Sequence, residues 1–470
     1  MRPWLRGLLA TFGVFLVAAL ALIGTENWRG RRAWEAWKAS REAMGDSYSW
    51  ASLMPAPVPD GDNYAKVPAI EAACRVDAPI PLVPKDAFPI PKQLIGWEEG
   101  RTEDVDSWKD AIAPQGLDEA LAAIRPKLDE LARAIRRPGS NLRMDYGHGE
   151  IPSLVGFRLA IRALRIRAIL QLRRGQTDGA LADVMTCLGL AKHLNGEPNL
   201  IPFILQEAVI RISMQPIWEG LVTHRWNPRQ LEAIQSALSE IDVLRSGKLA
   251  TQGERLTATL GMLSLVDHSL QPFSRVPHEE APAWMSRNFA FNQGWIYRNA
   301  INMDRYVAEG ELDAIDLSKR KVNPEQYRRV QLWAAGLEKN FYTTPFLIWK
   351  SAGLEREIIK TAHMATLVDE ATLACALERF RLSRGALPDR LSELAPIFAS
   401  RIPHDVVSGT ELVYKKGHDG AFVLYSVGWD GEDDDGQSPP PPDPSEAVQE
   451  SLTGDWTWPS LRKVATDQGR

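Results

Sequence analysis

The N-terminal stretch restricts the fold more than any other part of the chain. From Leu8 to Ile23 only Thr11 and Gly13 interrupt an apolar run, and Arg2 and Arg6 precede it. Such a run has no polar face for water, so lipid, protein or a processing enzyme must receive it. A spanning helix needs about 20 residues, which Trp4–Gly24 supplies, with Trp4 and Trp28 placed for the two interfaces. Three readings are open: a retained signal anchor, a signal peptide cleaved at the small-residue pattern Ala19-Leu20-Ala21, and a buried helix. The Arg-bearing start favours a targeting signal over the buried helix. Charge leaves orientation open, since Arg2 and Arg6 favour an inside N-terminus while Arg29, Arg31 and Arg32 pull the other way.

The rest of the chain has the composition of a folded protein, with 44% hydrophobic and 24% charged residues. A net charge of -5 and a pI near 6.0 remove the electrostatic case for nucleic acid. Cys74, Cys187 and Cys375 are far apart, form no CxxC, and cannot all be paired. They read as buried thiols.

Residues Trp28–Met44 continue as an amphipathic helix, lying on the membrane surface or serving as a stalk. The proline-rich stretch Pro55–Pro91 excludes helix and reads as a linker or, given Val83, Phe88 and Ile90, as a strap over a folded surface. From Gly116 to Arg137 apolar residues recur at three- and four-residue spacing, with Pro126 expected to kink or split the helix. Helices are then expected over Leu154–Arg174, Thr177–Leu194, Asn199–Leu221, Pro228–Leu244 and Lys248–Leu270. The stretch LAIRALRIRAILQLRRGQTDGALADVMTCLGLAKHL resembles a tetratricopeptide-type helical hairpin, with Ala180 and Ala182 allowing close approach. Its Arg-rich face, including Arg165, Arg167 and Arg173, reads as a solvated face paired with nearby acids. The same helical domain is where protein partners are expected.

At the C-terminal end, Leu373, Leu377 and Phe380 form a helical stripe that Gly385 stops. Glu411–Tyr414 and Ala421–Val427 read as a hairpin leading into Asp430–Asp435, and Gly454–Pro459 as a further strand or a tucked tryptophan pair. Here ALERFRLSRGALPDRLSELAP, IPHD and YSVGWDG resemble the globular head of type II secretion pseudopilins, especially the major pseudopilin. The resemblance covers roughly the last fifth of the chain. It implies a long helix on a small antiparallel sheet, a loop able to bind calcium, and an exoplasmic location. The family's Phe-Thr-Leu-[Ile/Leu]-Glu processing site is absent from this sequence. With the exoplasmic head as a guide, the expected placement is a single-pass protein of the bacterial inner membrane, its bulk on the periplasmic side.

The acidic turn is the one chemically distinctive site. Asp430, Asp433 and Asp435 are oxygen ligands on a glycine-flexed loop, and Gly417–Leu461 contains no Lys or Arg to offset them. Two readings are open, a calcium site and a solvated acidic loop. His148 with Asp145 and Glu150, His268, and His278-Glu279-Glu280 lack zinc spacing. Glu254 and Arg255 suggest a structural ion pair tying helices together. No nucleophile elbow, phosphate loop or dinucleotide fingerprint occurs, and no catalytic residue is assigned.

The expected fold is mainly α: a membrane helix, an α-helical hairpin array, then a small α+β head with an antiparallel sheet. The expected divisions are 1–27 for the anchor, 28–115 for the amphipathic helix and strap, 116–353 for the helical domain, 354–437 for the head and 438–470 for the tail. The expected function is a non-catalytic envelope protein in interaction or secretion-related assembly. The alternative is an envelope hydrolase with its site in the helical domain.

Overall fold

Helix α1 runs unbroken from Pro3 to Ala43, 41 residues in all, which makes it about 60 Å long. The computed structural model describes residues 3–75, 80–84, 87, 116–142, 154–267, 292–337, 357–417, 420–437 and 453–458. The apolar first half of α1 stands outside the body, with Phe12, Val14, Phe15 and Val17 exposed and no part of its most apolar window buried among the described residues. It is a candidate membrane span by length and composition. Its second half packs on the body, so the stretch from Trp28 onward is a stalk helix, and Trp34 is buried.

The chain then crosses the body as a strap in which Tyr64, Leu82 and Val83 are buried. It contains a short helix, α2 (Pro68–Ala73), where none was expected. Pro68 opens it at the first turn, the one place where a missing N–H is harmless. Phe88 and Ile90 lie outside the described residues.

Helix α3 (Leu117–Ala134) continues through Pro126 and buries the expected stripe, Leu121, Ile124, Leu128 and Leu131. The hairpin α4 (Val155–Arg173) and α5 (Thr177–His193) turns at Gly175, whose φ of 75° suits glycine. Ala180 lies in its interface, but Ala182 is exposed, which corrects its expected role. The two positions differ by 200° around a helix and cannot share a face. The arginines of α4 meet acids as expected, Arg167 with Asp183 and Arg173 with Glu219, but the face is not solvated, since Arg165 is wholly buried in the core.

Helix α6 (Leu200–Val222) is apolar on all sides because it is wrapped on all sides, by α4, α5 and later helices. It meets the length and hydropathy of a membrane span, yet it is a core helix, 72% buried over that window. Helix α7 (Pro228–Ser239) is closed at its start by a capping box between Asn227 and Gln230. It ends five residues before the expected Leu244 because the Asp242 side chain accepts from Arg245 N and starts α8 (Val243–Leu263). Helix α9 (Gln293–Val307) follows, ending in a π turn over Ala308–Leu312. A two-residue ladder, β1 (Ile315–Asp316) with β2 (Lys321–Val322), leads to α10 (Pro324–Leu337).

Helix α11 (Glu357–Arg384) lies against α6, α7 and α8 along its length and ends, as its sequence indicates, at Gly385. Beyond it β3 (Val413–Lys416), β4 (Phe422–Ser426) and β5 (Trp456–Thr457) form an antiparallel sheet in the order β3-β4-β5. The core runs without a break from Tyr64 in the strap to Trp456 and Trp458 in the sheet. The helix that sequence assigns to the head is thus the helix by which head and body share one interior. Cys187 and Cys375 are buried thiols, and Cys74 is a partly buried one.

Candidate functional site

A cleft of about 360 Å³ opens where the end of α6, helix α11 and the β3–β4 hairpin meet. Its polar end is built from the way α6 stops. His224 N donates to Leu221 O (3.1 Å) and Arg225 N to Gly220 O (2.8 Å), the paired bonds of a Schellman stop. The position that this motif gives to glycine is held by His224, with φ at 51°. A side chain there costs roughly 1 kcal/mol. Gly220 is obligatory one turn earlier, since a Cβ would lie 2.0 Å from Trp226 Nε1.

The ring of His224 reaches the buried Glu378 of α11, with Nδ1 2.9 Å from Oε1. Arg381, one turn further along α11, donates Nε to Oε2 (2.6 Å) and Nη2 to Oε1 (2.7 Å) of the same carboxylate. These bonds hold the Arg381 guanidinium's pKa above its ordinary value. Nδ1 of His224 also lies 3.1 Å from Arg381 Nη2. Arg381 Nη1 and His224 Nε2 have no partner among the described residues. Trp218, Leu387, Phe422 and Trp458 supply the apolar lining. The strand side is closed by two ion pairs, Lys415 with Asp435 (2.9 Å) and Lys416 with Asp389 (2.8 Å).

The acidic turn distributes its carboxylates. Asp430 accepts from Glu432 N and Gly454 N, at 3.2 and 3.1 Å. Asp433 accepts from Tyr425 OH (2.8 Å) and Asp435 N (3.0 Å), bonds that hold its carboxyl below the usual range. Asp435 is exposed and takes Lys415 as counter-charge from the adjacent strand, just outside the stretch that lacks cations. Among the described residues no group of three His, Cys, Asp or Glu side chains gathers as metal ligands. Beside the turn, a groove of about 1090 Å³ runs past Tyr327 and Trp429 to the β1–β2 ladder. His148, Asp145, Glu150, His268 and His278-Glu279-Glu280 lie outside the described residues.

A second constellation joins α1 to the body. Asp304 of α9 is wholly buried and accepts from Trp37 Nε1 and Tyr48 OH, each at 2.7 Å. Arg255 of α8 faces it with Nε to Oδ1 at 2.8 Å and Nη2 to Oδ2 at 2.9 Å, and Thr259 adds a bond at 3.2 Å. Arg255 also meets Asp46 at 2.8 Å, and Asp46 meets the buried Arg41, which grips Asp313 with both terminal nitrogens. Burial, then the charge of Asp304, keeps the Tyr48 hydroxyl protonated far above its usual range. Of the expected pair, Arg255 ties helices together, but through Asp304 and Asp46. Glu254 lies apart from that network.

His224 does not stand out in sequence, and of the Asp304 network only Arg255 does. The stretch Thr223-His224-Arg225-Trp226-Asn227-Pro228 has one usable signal: a helix stops, a new cap begins, and no glycine separates them. No protein-family model, no curated protein and no solved structure matches the chain.

Proposed function

We propose that this is a non-catalytic, membrane-anchored protein of the bacterial envelope, its body on the periplasmic side of the inner membrane. It acts in protein interaction or secretion-related assembly through its helical body and a pseudopilin-like head. The observation that carries the reading is the division of α1. One half is fully exposed and apolar, and the other is fixed to the body through Trp37, Arg41 and the buried Asp304. A helix suited to lipid and continuous with the fold is what an anchor requires. The long helix α11 against a three-stranded antiparallel sheet supports the likeness of the head.

The test is fractionation of cells making the full chain and a form lacking Met1–Gly24, with alkaline phosphatase fused at the C-terminus to report sidedness. The full chain is expected in the membrane with an active fusion, and the shortened chain in the soluble fraction. A shortened chain that stays with the membrane, or an inactive fusion on the full chain, sinks the reading.

A further inference from the structure

We propose that the body end of α1 carries a binding site for an anionic phospholipid, whose headgroup phosphate is met by Arg32, Arg29 and Arg298 beside Trp28. The site presupposes the anchoring proposed above, which places Trp4–Gly24 in the hydrocarbon. Three observations meet here.

The first is the level at which the charges stand. Trp28 lies one turn beyond Gly24, about 6 Å along the helix, and the polar layer of a leaflet is about 5–7 Å deep. Side chains of a helix lean toward its N-terminus, which for α1 is toward the lipid. Arg32 leans that way, its guanidinium 5.3 Å from the centre of the Trp28 ring. Arg298 of α9 reaches the same level from the body, with Nη2 on Glu26 at 2.5 Å. Gly294 N donates to Asn27 Oδ1 (2.8 Å) and so sets the start of α9 beside this turn of α1.

The second is the balance of charge. Arg29 and Arg298 share one carboxylate, Glu26, which leaves one positive charge over between them. Arg32 is exposed and meets no carboxylate among the described residues. Arg31 turns the other way, onto Glu35 at 3.0 Å, and Asp267 stands with that pair about Tyr297. Two unmatched guanidinium charges therefore lie in the headgroup layer, where a phosphate fits their fork of donors.

The third is that these groups are open to a lipid. The side chains of Arg29 and Arg298 and the whole of Trp28 are more than half exposed. An exposed tryptophan ending an apolar run suits a membrane interface, and this one also seats Arg32 on its face. A soluble anion would meet the arginines and leave Trp28 and the apolar run uncovered. A zwitterionic lipid would cover them and bring a cation of its own into the same layer. An anionic phospholipid covers them and brings no competing cation.

The probes are phosphatidylglycerol and phosphatidylcholine, each spin-labelled on an acyl chain, at trace level in phosphatidylcholine vesicles that carry the full chain. Electron paramagnetic resonance reads the share of each that the protein holds back. Phosphatidylglycerol is expected to be favoured about fivefold or more, the effect of roughly one basic side chain at an anionic surface, and the preference to vanish at about 1 M salt. Arg2 and Arg6, at the other end of the apolar run, add to the parent's value, so the site is read from variants. Arg32→Gln leaves every ion pair of this region in place and is expected to cut the preference to about half or less. Arg31→Gln, whose charge is spent on Glu35, is the control and is expected to leave it unchanged. A full chain that fails to enter the vesicles overturns the anchoring and this site with it. A full chain that enters but holds both lipids equally overturns the site alone, as does an Arg32→Gln effect no larger than that of Arg31→Gln.

Discussion

Arg255 and Asp304 form a two-bond ion pair, at 2.8 and 2.9 Å, with both side chains buried. They come from α8 and α9, and Trp37 of α1 donates to the same carboxylate. Removing one member leaves the other charged, buried and short of partners. Asp304→Asn is therefore expected to lower unfolding stability by about 3–5 kcal/mol in urea titration. A loss below about 1 kcal/mol would show that the junction does not depend on this pair.

Gly30 and Gly294 mark where α1 crosses α9. A Cβ on Gly30 would lie 2.5 Å from the Cα of Gly294, and one on Gly294 would lie 2.3 Å from Glu26 O. The obstacle is backbone in both cases and cannot rotate away. Gly30→Ala and Gly294→Ala are each expected to cost about 1–3 kcal/mol and to lower the melting temperature. Gly13→Ala, in the apolar half with open space around it, is the control and should leave the melting temperature unchanged.

Two carboxyls give stability a pH dependence. Burial, then the charge of Glu357, pushes Glu254 up to about 7 from the ordinary 4.5. Burial, then Asp405 and Asp369, raises Glu370 as well. The folded chain keeps protons that the unfolded chain releases, so stability falls as pH rises through this window and levels off above it. Glu254→Gln is expected to exceed the parent by on the order of 2 kcal/mol at about pH 8 and to match it at about pH 4. Parallel stability curves for the two proteins would refute the assignment.

The acidic turn has a counter-charge in Lys415 and internal acceptor duties for Asp430 and Asp433. On that arrangement, calcium at about 1 mM, within the range of weak extracellular sites, is expected to leave the melting temperature of the full chain unchanged. A rise of several degrees, lost on Asp433→Asn, would support the calcium reading.

Local periodicity made the helices legible. The stripe of α3, the α4–α5 turn at Gly175, the stop at Gly385 and the hairpin strands all depend on neighbours within a turn or two. What sequence hid is long-range. Arg41 and Asp313 are 272 positions apart, and Trp37 and Asp304 are 267 apart. No spacing rule links them. The cleft has the same difficulty, since its polar end needs a helix stop on α6 and a carboxylate on α11, 154 positions later. Within 240–242 the signal was present but outweighed: Ile241 and Leu244 continue the apolar pattern, and only the Asp242 cap shows that a new helix begins.

Because α1 passes from its exposed half into the body with no break, the anchor proposed above would leave no joint on its membrane side. A body on a loose linker sweeps a hemisphere and meets partners at every angle. Here about 28 Å of helix, from Gly24 to Ala43, joins the two with no loop between them. On the proposed anchoring, a partner held in the same bilayer would search for the body in two dimensions.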